Sequence, residues 1–191
     1  MTLAWYAAYG SNTDEARFRR YLRACTGDAE PRASRPHRID RPLYFAGTVS
    51  RTWGEGGVAF VGAAREPTPA TLARLWLLPV SVIAEVGAQE NGLPLARAAL
   101  DVDAGDHVAF AGRWYDSWFA CGVLDGHPIV TLGAAIDHEP RSSPGPAYTR
   151  VVAAGLRATH GLSREEVARY LAPRTNLPFT TLMEWQVGGA G

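Results

Sequence analysis

The 191-residue chain is 47% hydrophobic and 20% charged, with 19 basic residues balanced by 19 acidic ones. That length buries one sizeable core and is short for two domains, and zero net charge excludes the overall field that would draw a nucleic acid or an anionic membrane. Every basic residue is Arg and none is Lys, which excludes Schiff-base chemistry and a Lys nucleophile.

Cys25 and Cys121 stand far apart, without metal-ligand or redox spacing, so a reduced, cytoplasmic setting is expected. Thr2 to Tyr6 offers no basic region followed by a long apolar run, so no signal peptide is expected, and no stretch has the length of a membrane span. The expectation is one domain over residues 1–187, with a short flexible tail at 188–191.

Leu3 to Tyr9 is apolar and aromatic and is broken by Gly10-Ser11-Asn12, which predicts a buried strand ending in a tight loop. A helix follows to about Ala24, with Asn12 or Thr13 as its cap and Phe18, Tyr21 and Leu22 as its apolar stripe. Residues 26–41, rich in Arg and Pro, read as a long loop on which Arg32, Arg35, Arg38 and Arg41 are solvated. Strands are expected at 43–49, 57–63 and 72–78, with Gly54 to Gly57 separating the first two. Val80 to Asn91 reads as a helix with Ile83, Val86 and Glu90 on one face and Glu85 on the opposite, solvated face.

Further strands fit 107–113, 118–124 and 129–132, the last two joined by a hairpin at Asp125-Gly126. Tyr148, Val151, Val152, Gly155 and Leu156 share a helix face that ends at His160-Gly161. Ser163-Arg164-Glu165-Glu166 then forms a capping box for a short helix that Pro173 follows. Strands and helices do not alternate regularly, so the expected class is a mixed α+β domain on a curved sheet or small barrel.

Two features bear on chemistry. Gly10-Ser11-Asn12 lies between a strand and a helix start, where free N–H groups suit an anionic group, although an ordinary turn has the same composition. Glu90 sits on an apolar helix face in the last turn, where desolvation and the helix dipole both raise a carboxyl pKa. That is the profile of a general acid or base, and equally of a Glu whose side chain reaches water. Tyr148 reads as core packing with a tied hydroxyl. His37, His107, His127, His138 and His160 show no metal spacing and are assigned to surface or turn positions, and Asp137-His138-Glu139 reads as solvated. Ser11 lacks a nucleophile elbow and a His partner.

Tyr9-Gly10-Ser11-Asn12 after an aromatic strand resembles the signature of the gamma-glutamyl cyclotransferase superfamily. Ala88-Gln89-Glu90-Asn91-Gly92 resembles the segment carrying that family's catalytic glutamate. Pro144-Gly145-Pro146-Ala147-Tyr148, with Gly161-Leu162 after it, is similar to the family's Pro-Ser-Pro-x-Tyr helix and its closing Gly-Leu. The chain departs from the pattern at Thr13, at Gly145, and at Gly87-Ala88, where many members carry an Asp before the glutamate. The resemblance, to the bacterial members in particular, implies a mixed sheet or small barrel flanked by helices. It also implies an enzyme that cleaves a gamma-glutamyl amide by cyclising the glutamyl part to 5-oxoproline, with Glu90 as acid and base. Tyr9, Gly10, Ser11, Asn12, Tyr148 and Trp53 would line the substrate site. No metal or cofactor is implied, and the partner is a small molecule. A non-catalytic binding module and an amide hydrolase using Glu90 to activate water are the alternatives; the leaving amine and the oligomeric state stay open.

Overall fold

The computed structural model describes residues 2–26, 29–68 and 70–187. Its centre is β1 (Leu3–Ala8), whose residues are apolar throughout because both its faces are covered. Ala4, Tyr6 and Ala8 point into one core and Trp5 and Ala7 into a second, so the two-residue period divides the molecule into two apolar layers. The tail at 188–191 lies outside the described residues.

The remaining strands are β2 (Ala33–Ile39), β3 (Leu43–Ala46), β4 (Val49–Ser50), β5 (Gly54–Glu55), β6 (Val58–Val61), β7 (Thr71–Pro79), β8 (His107–Val108), β9 (Ser117–Leu124) and β10 (His127–Gly133). Six of them form a mixed sheet in the order β2-β7-β1-β10-β9-β8, while β3-β6 and β4-β5 make two small ribbons. Within the large sheet β1 runs parallel to β10 and antiparallel to β7. The helices are α1 (Glu15–Leu22), α2 (Val80–Glu90), α3 (Pro146–His160), α4 (Arg164–Thr175) and α5 (Phe179–Trp185). The first two supply Phe18, Leu22, Val82, Ile83 and Val86 to one core, and the last three supply Tyr148, Val152, Leu156, Val167, Leu171 and Leu182 to the other. This is the expected α+β class, a mixed sheet flanked by helices.

Several boundaries differ from those expected. Residues 33–39 form a strand, not a loop. As the sheet edge β2 is largely exposed, so it lacks an apolar alternation, and an edge tolerates Pro36. Arg41 is fully buried: it donates to the Ala63 carbonyl at 2.6 Å, pairs with Asp106 at 2.6 Å and lies over the Phe119 ring. Strand β3 stops at Gly47, whose φ of +87° and contact with the Trp114 ring admit no side chain. Strand β8 ends at Val108 because the Ala109 and Phe110 N–H groups both turn to the Asp116 carbonyl. Pro173 lies inside α4, and the Thr175 hydroxyl and Arg174 guanidinium satisfy carbonyls of the last turn before Asn176 ends the helix in the left-handed region. Helix α5, with Leu182 its one buried residue, has no sequence signature.

After β1 the chain makes a 3-10 turn at Ser11–Thr13, which delays α1, so that Asp14 caps it by accepting from the Arg17 N–H at 2.8 Å. The turn is clamped from two sides and tied within itself. Trp76 of β7 donates to the Asn12 carbonyl at 3.0 Å, and the Thr13 hydroxyl donates to the Gly10 carbonyl at 2.7 Å. Gly155 brings α3 directly against it, since a Cβ there would stand 2.2 Å from Thr13 Oγ1 and 2.6 Å from the Asp14 nitrogen. Gly155→Ala therefore overpacks a rigid contact, and the expected result is a loss of about 1–3 kcal/mol, seen as a lower urea midpoint at unchanged slope.

Candidate functional site

Strand β1 delivers Tyr9 and Gly10 to the end of the sheet where α2 also ends, and the two meet over a cavity of about 330 Å³ including its mouth. Its walls are Tyr6, Tyr9, Gly10, Ser11, Asn12, Ala59, Glu90, Tyr115, Leu132 and Tyr148. Of the residues that the sequence singled out, Trp53 alone lies outside this inner space. It lines a wider cleft of about 1220 Å³ onto which the cavity opens, with its ring 5.1 Å from that of Tyr148.

Glu90 is the last residue of α2. Asn12 Nδ2 donates to Glu90 Oε1 at 2.7 Å, and the Tyr21 hydroxyl acts on the carboxyl from the side of the outer cleft. Burial pushes the Glu90 carboxyl above the ordinary carboxylate value, while the Asn12 bond, the Arg17 charge and the Tyr21 hydroxyl restrain the rise. Asn12 Oδ1 is buried with no hydrogen-bond partner among the described residues. An orphaned acceptor beside a carboxyl that takes up protons is suited to a ligand with N–H donors.

Tyr148 stands opposite. Its hydroxyl accepts from the Ala59 N–H at 3.1 Å, so its own proton is left to donate. Burial pushes the phenol up to about 12, which keeps it protonated at neutral pH. The closeness of this oxygen explains Gly10, where a Cβ would stand 2.8 Å away. Tyr9 is tied differently, donating to the Leu132 carbonyl at 2.7 Å, and Tyr115 donates to the Ala59 carbonyl at 2.9 Å.

Ser11 Oγ accepts from Arg17 Nε at 2.9 Å, beside a cation rather than a base. The free thiols lie outside the cavity: burial pushes Cys25 up to about 11 and Cys121 up to about 12, so neither is a ready nucleophile. Among the described residues no three His, Cys, Asp or Glu side chains converge as a metal set. His107 and His127 lie on strands β8 and β10 and His37 on β2, in place of turn positions, and each is half-buried.

Glu85 is not on a solvated face. It is 8% exposed, and both its oxygens accept from Thr26, one from the N–H at 2.7 Å and the other from the hydroxyl. The cause is that α2 is buried all round from Val82 to Ala88, so its middle has no solvated side. Reasoning from sequence also missed Tyr6, Tyr21, Arg17 and Tyr115 as site residues. Tyr21 stands on the stripe assigned to the core, and three residues before it Phe18 does enter the core while Tyr21 ends at the carboxyl.

No family model matches the sequence. Histone deacetylase 5 of Arabidopsis thaliana is 26% identical over 208 aligned residues, which cover 91% of this chain and 31% of that protein, so the chain spans about a third of the relative's length. A solved gamma-glutamyl cyclotransferase superposes with a TM-score of 0.55 at 19% identity, over 89% of this chain and 87% of that one. An uncharacterized human protein superposes with a TM-score of 0.54 at 16% identity, over 96% and 99%. The chain therefore has the gamma-glutamyl cyclotransferase-like fold. No helix among the described residues is long and apolar enough to cross a membrane.

The raised Glu90 pKa has a sign that stability can test. The folded chain binds this proton more tightly than the unfolded one, so the contribution is complete below the unfolded pKa and is lost as pH rises through the folded one. Glu90→Gln removes the titration. Its stability relative to the parent chain is expected to increase as pH rises above the ordinary carboxylate value and to level off once the raised value is passed, as read from urea midpoints. A difference that stays flat, or falls with pH, would show that the carboxyl is not desolvated.

Proposed function

We propose that this chain, on its gamma-glutamyl cyclotransferase-like fold, is an enzyme that cleaves a gamma-glutamyl amide by attack of the substrate's own alpha-amine on its gamma-carbonyl, giving 5-oxoproline and a free amine. The observation that carries the reading is the Glu90 carboxyl, raised by burial and held by Asn12 in a cavity that opens onto the outer cleft. The same reading takes a small molecule as partner and the cytoplasm as setting.

In the proposed reaction the alpha-ammonium gives up two protons in becoming the lactam nitrogen, and the departing nitrogen gains two in leaving as an ammonium. A single carboxyl that carries protons from one nitrogen to the other meets this requirement, provided its pKa lies near the working pH. Asn12 Oδ1 is a free acceptor for the ammonium before it reacts. The Tyr148 hydroxyl, polarised by the Ala59 N–H, is a donor for the oxyanion that forms on the gamma-carbonyl. The backbone of Gly10 to Asn12 adds the positive end of the 3-10 turn for the alpha-carboxylate. Ring closure fixes both reactants in one molecule, so the remaining task is to hold the substrate folded in a dry site, and a cavity walled by four tyrosines, Tyr6, Tyr9, Tyr115 and Tyr148, suits it.

Incubation with gamma-glutamyl dipeptides and gamma-glutamyl amines, followed by product analysis, tests the reading. 5-Oxoproline with free amine supports it, glutamate with free amine marks a hydrolase, and unchanged substrate marks a binding module. Glu90→Gln is expected to lower turnover by roughly two to four orders of magnitude with folding retained, the worth of a positioned acid and base. Tyr148→Phe is expected to cost about two orders of magnitude in kcat with KM little changed, as for one oxyanion donor. Near-parental 5-oxoproline formation by Glu90→Gln would remove the chemistry from this residue.

A further inference from the structure

The outer cleft differs in chemistry from the cavity it leads to. Its wall carries three arginines, Arg17, Arg51 and Arg113, against one carboxylate, Glu90, at its floor. Glu15, Glu30, Asp40, Asp106, Asp125, Asp137, Glu139 and Glu165 pair with arginines elsewhere in the molecule, yet Arg17, Arg51 and Arg113 make no ion pair among the described residues. Arg51 and Arg113 are exposed, and Arg17 is half-buried. The cleft therefore holds excess positive charge in a chain whose total charge is zero.

Between the arginines lie flat surfaces. Arg17 stacks over the Trp53 ring at 4.5 Å and lies 5.4 Å from the Tyr21 ring. Trp114 packs on Phe60 and His138, and still leaves 43% of its surface exposed. Indole faces and guanidinium planes together favour a flat group, and arginine forks pair with carboxylates. A cationic amine meets repulsion here, and a small aliphatic one leaves the rings uncovered.

We propose that the outer cleft is a leaving-group subsite for acidic aromatic amines, a proposal that rests on the cyclising amide cleavage set out above. The aromatic ring lies against Trp53 and Trp114, and its acidic group meets Arg51 and Arg113. The cleft is then the part of the molecule that chooses among gamma-glutamyl amides, while the inner cavity takes the glutamyl part common to all of them.

Three amides whose leaving amines have similar reactivity separate the two components: gamma-L-glutamyl 3-carboxybenzylamide, gamma-L-glutamyl 3-(aminomethyl)benzylamide and gamma-L-glutamyl 5-carboxypentylamide. The first is expected to show a KM lower than each of the others by about tenfold, the size of one or two partly exposed ion pairs or ring contacts. In the Arg51→Ala/Arg113→Ala chain the advantage of the acidic over the cationic benzylamide should collapse, and that of the ring should persist. The free amines, 3-carboxybenzylamine, m-xylylenediamine and 6-aminohexanoate, are titrated in parallel against the tryptophan fluorescence of the intact protein. If no amide yields 5-oxoproline the reaction itself is refuted, and the amine titration still decides the cleft. Equal or tighter binding of the diamine or the aliphatic acid, or a preference for the acid that survives removal of both arginines, would overturn the proposal.

Discussion

A carboxyl group inside protein needs donors, and the hydrogen bond from Asn12 to Glu90 is the constraint around which this chain is arranged. The two residues belong to elements that neither touch in sequence nor share a strand, so the bond forms only if the turn after β1 and the end of α2 are both held in place. Trp76 and Gly155 hold the turn, the one by a hydrogen bond to its carbonyl and the other by having no side chain to keep α3 away. Helix α2 starts directly from β7, with Val80 donating to the Thr2 carbonyl, so its register follows from the sheet. Helix α1 then adds Tyr21 and Arg17 to the same carboxyl, which binds the first helix to the last turn of the second through a polar centre.

The location of the cavity follows from the sheet order. Parallel pairing of β1 with β10 places the exits of both strands at one end, where neither can be covered by a hairpin, and the space beyond such exits is where ligands lodge in open sheets. The tyrosines that wall it are amphipathic plugs: their rings continue the apolar cores, and the hydroxyls of Tyr9, Tyr115 and Tyr148 satisfy the Leu132 carbonyl and both main-chain groups of Ala59 on the unpaired side of β6. Burial then raises every one of these phenols, so the wall acts as a set of neutral dipoles and adds no charge that would compete with Glu90.

How much of this was legible in the sequence depended on whether a local pattern matched the final environment. Strand β1, helix α2 and the capping box at Ser163 were readable because apolar runs and caps are local signals, and Tyr9 to Asn12, Glu90 and Tyr148 were singled out on motifs that resemble one family. Edge strand β2 was not, since an exposed edge has no core-facing period to detect. Glu85 and Arg41 were misjudged for a common reason: each is buried with polar partners distant in sequence, Thr26 for the one and Ala63 and Asp106 for the other. Tyr21 shows the same limit inside a correctly placed helix. Periodicity tells which side of a helix leaves water, but whether that side meets a core or a carboxyl is decided by the rest of the chain.

The two cysteines carry a practical consequence. With their thiols pushed up to about 11 and about 12, the reactive thiolate at neutral pH amounts to about one part in ten thousand or less. Gln89 Nε2 donates to the Cys25 sulfur at 3.1 Å, and the Cys121 sulfur is directed to the Phe119 carbonyl, so each is also engaged within the fold. A chain with no lysine and with thiols this quiet gives inhibitors that rely on covalent capture of a lysine amine or a cysteine sulfur little purchase, which shifts the weight of ligand recognition onto shape and charge.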